Sequence, residues 1–388
     1  MVELASLGFG RKIFRDDHEA FRETARNFFR SEVEPNVRQW EKDGFYPAEL
    51  FKVAARYGLL CAGIPEEYGG GGGDVLHHMI LHEEHGYSPG GVSLEAGLGT
   101  DLTAYVLFNG GTEEQKREWL PFFAQGNGIA EVGLSEPGAG SDARGIKTYA
   151  RRDGDDWILN GQKMWMSNGP LMTVLFVVAK TDEGGREGTT MFIVPMDSKG
   201  ITRSQPTDLM MKSCGGVCEV FFDDVRIPAS NVLGGPDGVG RGLRIALSTL
   251  DLGRASVGVR AIAASELALA VTTDYTRTRQ AFGQSVFDFQ NTQFKLASVA
   301  TEIAAGRAFV DSCLEKLVEG GLRPQDMAML KLFCSEVEGR VMDECLQLHG
   351  GAGFSNEYLI SKLYAHARVH RIYVGTSEIM KQIIARSL

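Results

Sequence analysis

Residues 347–380 read QLHGGAGFSNEYLISKLYAHARVHRIYVGTSEIM. Gly350, Gly351 and Gly353 break one helical pattern, an amphipathic run follows, and Tyr373-Val374-Gly375-Thr376 interrupts that run in turn. A glycine inside a helix costs about 1 kcal/mol relative to alanine, so a cluster of them implies a tight turn or a close backbone approach to a ligand. Two helices therefore meet where main chain is accessible. On these residues alone, a helix-helix turn and a binding site both remain open.

Helical periodicity extends upstream from this stretch to about Gly240. It is clearest from Pro324 onward, where Met327, Leu330, Phe333, Val337, Val341, Cys345 and Leu348 recur at threes and fours. Four or five such helices can pack as a bundle. Between about 131 and 235 the pattern changes to short β runs: Trp157–Asn160, Lys163–Ser167, Val174–Lys180, Thr190–Pro195 and Glu219–Ile227. Asn160-Gly161, Gly184-Gly185 and Asn168-Gly169-Pro170 read as the turns between them. No long helix interleaves, which argues against a doubly wound parallel sheet.

Residues 1–130 read as helices. Asp16 with Glu19 forms a capping box ahead of Phe21, Ala25, Phe28 and Phe29; Pro47 starts a helix that stops at Gly58; Thr112 with Gln115 opens another. Runs from Asp74 to Gly86 and from Ser93 to Phe108 complete the set. The run Gly69–Gly73 lacks the Lys-Ser/Thr and the preceding strand of a phosphate cradle and reads as a flexible loop. The architecture expected is α+β, with a helical domain over 1–130, a β domain over 131–237 and a helical bundle over 238–388.

Composition limits the function. A chain of 388 residues with 43% hydrophobic and 23% charged residues can bury a large core. Its net charge of −10 argues against a nucleic-acid or anionic-membrane binder. The N-terminal residues show no uninterrupted apolar signal segment, and the chain shows no evident apolar run of the 18–20 residues or so that a spanning helix needs, so a cytoplasmic location is expected. Six scattered cysteines suggest reduced thiols, and Cys214 and Cys218 have no histidine near them to complete a zinc site, so no metal is expected.

Three stretches read together are more specific. They are Gly133-Leu134-Ser135-Glu136-Pro137-Gly138-Ala139-Gly140-Ser141-Asp142, then Trp157 to Gly169 (WILNGQKMWMSNG), and Arg279-Gln280-Ala281-Phe282-Gly283 with the stretch from Gln347 to His366. In this order and spacing the chain resembles the acyl-CoA dehydrogenase family over nearly its whole length. The resemblance implies an N-terminal helical domain, a middle β domain and a C-terminal four-helix bundle, assembled as a homotetramer with FAD near a subunit interface.

Carried over residue by residue, the resemblance implies that Ser135 and Ser167 meet the isoalloxazine edge and that Trp165 packs on the ring. Arg279, Phe282, Gln290, Gln347, Gly350 and Gly351 would hold the rest of the dinucleotide, with Arg279 coming from a neighbouring subunit. Thr376 and Glu378 would close the site. Ser141, Asp251 and Arg254 would contact the thioester arm, although Asp251 and Arg254, three apart on a helix, also read as an ion pair. Tyr373 and the Ser93–Tyr105 helix would line a hydrophobic acyl channel. An electron-transfer flavoprotein or another acceptor would take the electrons.

The proton acceptor is missing. The family's glutamate stands either just before Gly-Thr in the closing stretch, here Val374, or directly before the arginine of the helix that opens the last domain, here Gly253. Neither side chain can accept a proton. Three readings follow: Glu95 or Asp101 substitutes, unless solvated or capping roles claim them; the flavin runs other chemistry, such as desaturation farther along the chain, reduction, or an oxygen-dependent oxidase or monooxygenase reaction; or the chain is a quiet FAD-binding subunit. Ala365-His366 in place of an Arg-Asp pair, and Ser213-Cys214-Gly215-Gly216 near the thioester arm, suggest an unusual carrier such as acyl-carrier protein.

Overall fold

The computed structural model describes residues 11–94, 98, 100–182 and 188–388. Six helices come first: α1 (Asp16–Phe28), α2 (Val37–Asp43), α3 (Glu49–Arg56), α4 (Val75–Tyr87), α5 (Thr100–Gly110) and α6 (Glu113–Ala124). Seven strands follow: β1 (Ala130–Gly133), β2 (Tyr149–Asp153), β3 (Asp156–Ser167), β4 (Val174–Thr181), β5 (Thr189–Pro195), β6 (Ile201–Arg203) and β7 (Val217–Pro228). The last part holds α7 (Gly242–Thr278), a hairpin of β8 (Gln280–Ala281) and β9 (Gln284–Ser285), α8 (Gln290–Val318), α9 (Pro324–His349), α10 (Leu359–His370) and α11 (Ser377–Ala385). The α+β reading holds.

Several local expectations need correction. The first helix is closed by His18, whose Nδ1 accepts from the Arg15 N–H at 3.1 Å, so an imidazole does what was expected of Glu19 and the cap lies one residue before Asp16. Asn160-Gly161 is no turn. It is a bulge inside the single strand β3, where the register against β7 shifts between Leu159 and Gly161 and Thr148 leaves no room for a side chain at Gly161. Gly69–Gly73 is tied down: Gly70, Gly71, Gly72 and Gly73 each donate a backbone bond into residues 61–65. Within the run from Ser93 to Phe108 the described elements are the end of a short 3₁₀ turn, Gly91–Leu94, and α5. The turn expected at Gly184-Gly185 lies outside the described residues.

In the sheet β4 is central. β5 runs antiparallel along one edge, and β1 and then β2 run parallel along the other, with β3, β7 and β6 continuing outward. One face packs on α5 and α6 through Val174, Phe176 and Val178; the other buries Leu175, Val177 and Phe192 around Trp157. The largest core among the described residues lies in the bundle, where α7 packs against α4, α8, α9 and α10. α7 is long and apolar enough to cross a membrane, contrary to the expectation of no such run, but it is mostly buried inside this core.

Charge ties the helical layers together. Glu83 on α4, its side chain 1% exposed, receives Arg11 at 2.7 Å, Arg22 of α1 at 2.5 Å and Arg307 of α8. Burial pushes the Glu83 carboxyl up, but Arg307, Arg11 and Arg22 overcome this and hold it well below the ordinary carboxylate range. Stability from this group is therefore complete above the unfolded value of 4.5 and is lost as pH falls below it. Glu83→Gln is expected to cost about 3–5 kcal/mol at pH 7, since it leaves buried arginines short of a partner. In urea titrations the gap between the variant and the parent should narrow as pH drops below 4.5; a gap that stays constant would show that the charge is not its source.

Candidate functional site

The first motif is locked onto β3. Ser135 O accepts from Met164 N at 3.0 Å, and Glu136 and Ala139 exchange backbone bonds at 2.9 and 3.0 Å. Glu136 turns inward, where its carboxylate accepts from Lys147 N at 2.5 Å, Thr148 N at 3.1 Å and the fully buried Lys163 Nζ at 2.7 Å. Burial lowers the Lys163 ammonium to about 8 while Glu136 holds it up against that loss. Nothing in the sequence marks this pair, because Glu and Lys normally read as surface residues.

The second motif carries a second bulge, between Lys163 and Met166, and Trp165 sits in it with φ +64°. A left-handed non-glycine residue is uncommon and tends to mark a functional constraint. The consequence is an indole turned off the strand and 53% exposed, with half-buried Ser167 two residues on. The strand's end is braced by Asn168, whose Oδ1 accepts from Tyr46 Oη, and by Cys214, which exchanges backbone bonds with Tyr46 and Ser93 at 2.8 Å. Ser213-Cys214-Gly215-Gly216 is thus a weld between the helical and β layers; a side chain at Gly215 would overlap Asn168.

The closing turn is held by cations. Val374 has φ +55°, a true outlier for a β-branched residue, and Gly375 follows at +98°. Val374 O accepts from Arg254 Nε at 3.4 Å and Gly375 O from Lys331 Nζ at 2.7 Å. Thr376 caps α11 by accepting from Ile379 N at 3.3 Å, and Glu378 stands exposed in the first helical turn, its carboxyl held down chiefly by a backbone hydrogen bond. Arg254 is itself fixed by Asp251 at 2.6 Å, so the ion pair expected from their spacing exists and the guanidinium is buried. Burial, then Arg254, brings the Lys331 ammonium down to about 8.

Both carboxylate stations meet at one point. A Cβ on Gly253 would lie 3.3 Å from Val374 Cγ1 and 3.5 Å from Leu102 Cδ2. Glu95 lies outside the described residues. Asp101 is neither solvated nor a helix cap: it is buried, its Oδ1 accepts from Cys61 N at 2.6 Å, and its Oδ2 stands 3.9 Å from His78 Nδ1. Nor is the expected channel wall uniformly hydrophobic. His78, His82 and His85 occupy one face of α4, with His78 Nε2 3.1 Å from Ser256 Oγ and His85 Nδ1 3.3 Å from Arg260 Nη1, and Arg260 donates to Tyr373 Oη. The spacing of these histidines at i, i+4 and i+7 was the signal that could have found this face.

Of the remaining residues, Ser141 is exposed on the loop after β1. Arg279, Phe282 and Gln290 cluster at the β8–β9 hairpin and the start of α8, all exposed, Phe282 at 97% and with φ +50°. Gln347, Gly350 and Gly351 are exposed at the end of α9, and at either glycine a Cβ would meet no atom within 4 Å. His366, a departure from the pattern that the chain resembles, is buried and packs edge-on to His370, ring centroids 4.8 Å apart.

Sequence families match in three blocks: the acyl-CoA dehydrogenase N-terminal domain over residues 15–127, the middle domain over 132–225 and the C-terminal domain over 240–388. The long-chain specific acyl-CoA dehydrogenase of Rattus norvegicus mitochondria is 39% identical over 393 residues, covering 100% of this chain and 89% of that one. The crystal structure of acyl-CoA dehydrogenase from Geobacillus kaustophilus superposes with a TM-score of 0.93 at 36% identity, over 97% of this chain and 99% of that one. A glutaryl-CoA dehydrogenase from Mycobacterium smegmatis in complex with FADH2 gives 0.88 at 31% identity, over 96% and 95%.

The Lys331 ammonium is a charged donor to the Gly375 carbonyl, a bond worth about 1.5–3 kcal/mol. Lys331→Met is accordingly expected to speed amide hydrogen exchange across residues 373–377 by about tenfold or more, with exchange in α7 unchanged. Unaltered protection of the turn would remove Lys331 as its anchor.

Proposed function

The chain belongs to the acyl-CoA dehydrogenase family, and from that premise we propose that it is an FAD-dependent oxidoreductase that desaturates an acyl thioester, acyl-CoA or acyl-carrier protein. The observation that carries this reading is the Trp165 platform: a strand bulge and a left-handed backbone together turn an indole outward beside Ser135 and Ser167. An isoalloxazine ring is a flat apolar surface with a polar edge. The indole suits its face and the two serines suit its edge.

When bound, FAD accepts a hydride, and the protein supplies orientation and a dry cleft. Arg279 offers a guanidinium suited to pyrophosphate, and Phe282, Gln290, Gln347 and the open backbone at Gly350 and Gly351 would cover the remainder. Their exposure in one chain fits a role across an interface, which supports a homotetramer in which these residues serve a neighbour's cofactor. Thr376 and Glu378 would close the flavin site. Ser141, Asp251 and Arg254 would guide the thioester arm, Arg254 chiefly by holding the carbonyl of Val374.

One observation favours a second reading. Val374 and Gly253 face one another with no acid on either, so a catalytically quiet subunit, or flavin chemistry other than α,β-desaturation, stays in competition. Anaerobic addition of acyl-CoA to the yellow holoprotein separates the readings: bleaching supports desaturation, tight flavin without bleaching supports the quiet subunit, and rapid reoxidation with peroxide supports an oxidase.

Trp165→Ala is expected to weaken FAD binding by about tenfold, read by flavin fluorescence on titration. Val374→Glu should raise the bleaching rate with saturated acyl-CoA, by up to about 10²–10⁴ if the parent has no base at all. Gly253→Glu should do less, because a Cβ there already presses on Val374 at 3.3 Å. Equal, undiminished FAD affinity in Trp165→Ala would defeat the platform reading.

A further inference from the structure

Three helices bring Ser256, His78 and Asp101 into one buried line beside the two empty stations. Ser256 lies three residues after Gly253, on the same face of α7 and about 5 Å farther along it. Its Oγ is 3.1 Å from His78 Nε2 and 3.0 Å from the Leu252 carbonyl, so the hydroxyl proton has two acceptors. On the other side of the ring, Nδ1 makes no hydrogen bond and faces Asp101 Oδ2 at 3.9 Å. A bare ring lone pair against a carboxylate oxygen would be repulsive, which places the ring hydrogen on Nδ1 and leaves Nε2 to accept from Ser256.

Asp101 is set for this task by the backbone beneath it. Cys61 adopts φ +54°, a left-handed conformation for a residue with a Cβ, and in doing so donates its amide to Asp101 Oδ1 at 2.6 Å. One carboxylate oxygen is thereby pinned and the other left toward His78. All three members are at most 4% exposed, so a proton held among them is shielded from solvent. Leu102, the residue after Asp101, reaches the Gly253 station directly.

We propose that this array replaces the family's glutamate as the proton acceptor. Ser256 is the catalytic residue: its oxygen takes the α-proton of the acyl thioester while its own hydroxyl proton passes to His78 Nε2. The Cα–H bond breaks, its electron pair stays on the substrate as an enolate, and the positive charge rests on the imidazole opposite Asp101. His78 and Asp101 act through Ser256 and position the proton. The step needs no oxidant and is reversible. It rests on the acyl-thioester reading above, and it names a group that reading leaves open.

The groups facing His78 are His82 on its own helix, with ring centroids 4.6 Å apart; Tyr105 and Asp101 on α5, the Tyr105 ring at 5.3 Å; and Ser256 on α7, with Arg260 one turn beyond. Burial keeps His82 neutral, and Cys61 is likewise held as a thiol. Among these residues Asp101 supplies the carboxyl group, 3.9 Å from His78 Nδ1, that faces the ring where the transferred charge would rest.

The test is deuterium exchange at the α-carbon of butyryl-, octanoyl- and palmitoyl-CoA, incubated with holoprotein in heavy water and read by mass spectrometry, alongside anaerobic bleaching. Ser256→Ala and His78→Gln are expected to slow exchange by about a hundredfold or more, and Ser256→Thr, which keeps the hydroxyl, to recover most of it. Asp101→Asn should lower kcat for exchange by about tenfold or more with KM for the acyl-CoA unchanged, because the positive charge that arrives on the ring loses the carboxylate opposite it. Flavin spectra and melting temperatures identify any variant that fails to fold. Parent-like exchange in folded Ser256→Ala and His78→Gln overturns the relay and leaves the acyl-thioester reading intact. Absence of both exchange and bleaching in the parent with all three esters overturns the two together.

Discussion

The close approach of α4 to α7 is the constraint on which the rest depends. At Gly86 a Cβ would lie 2.7 Å from the Arg260 carbonyl and 2.8 Å from the Ala263 methyl, so any larger residue would push the helices apart. Gly258 plays the same part toward α9, where a Cβ would meet Leu330 at 2.9 Å. These contacts let backbones pack nearly surface to surface, and they decide which side chains meet. His78 reaches Ser256 and His85 reaches Arg260 only because the helices lie this close. Arg260 in turn holds Tyr373, and Arg254, less than two turns earlier on α7, holds Val374. The closing turn is therefore referenced to α7, and α7 is referenced to α4 and α9.

Buried charge sharpens this arrangement. A paired ion inside a protein rarely adds much net stability, but removing one partner is costly, so such pairs discriminate strongly against misplaced helices. Glu83 draws arginines from the N-terminal segment, α1 and α8 to one point on α4. Lys163 and Glu136 do the same for the loop that carries Ser135, and Lys331 does so for the turn at Gly375. Each places one charged group where only a single backbone arrangement satisfies it.

Periodicity made the helices and the position of the sheet legible, because burying one face imposes a repeat that survives in any sequence. The α9 run is the plainest case: of its periodic apolar positions Met327, Leu330, Val337, Val341 and Cys345 are buried, Leu348 is half-buried, and Phe333 is 39% exposed. What escaped was chemistry that breaks the rules of residue type. A helix closed by His18, a fully buried lysine at 163 and an aspartate buried under a cysteine amide look in sequence like a surface histidine, a surface lysine and a helix cap. Asn160-Gly161 misled for the opposite reason: a pair that commonly turns a hairpin here only kinks a strand. The meeting of Gly253 with Val374, far apart in the chain, depended on a likeness to known proteins and not on spacing.

The geometry at Val374 bears on why a site that lacks its usual base is still built. A valine at φ +55° costs of order 1–3 kcal/mol, and nothing in its apolar side chain repays this. The strain persists because Arg254 and Lys331 fix the carbonyls of Val374 and Gly375 in the orientation that the left-handed turn requires. Were the turn free to relax, a β-branched residue would move it to an extended conformation. The scaffold that presents residue 374 to the substrate is thus maintained at an energetic cost while the side chain there is inert. An abandoned site has no reason to hold that conformation with two buried cations. A site whose proton acceptor has moved one helical turn along α7 does, since the same turn still bounds the space in which the thioester would lie.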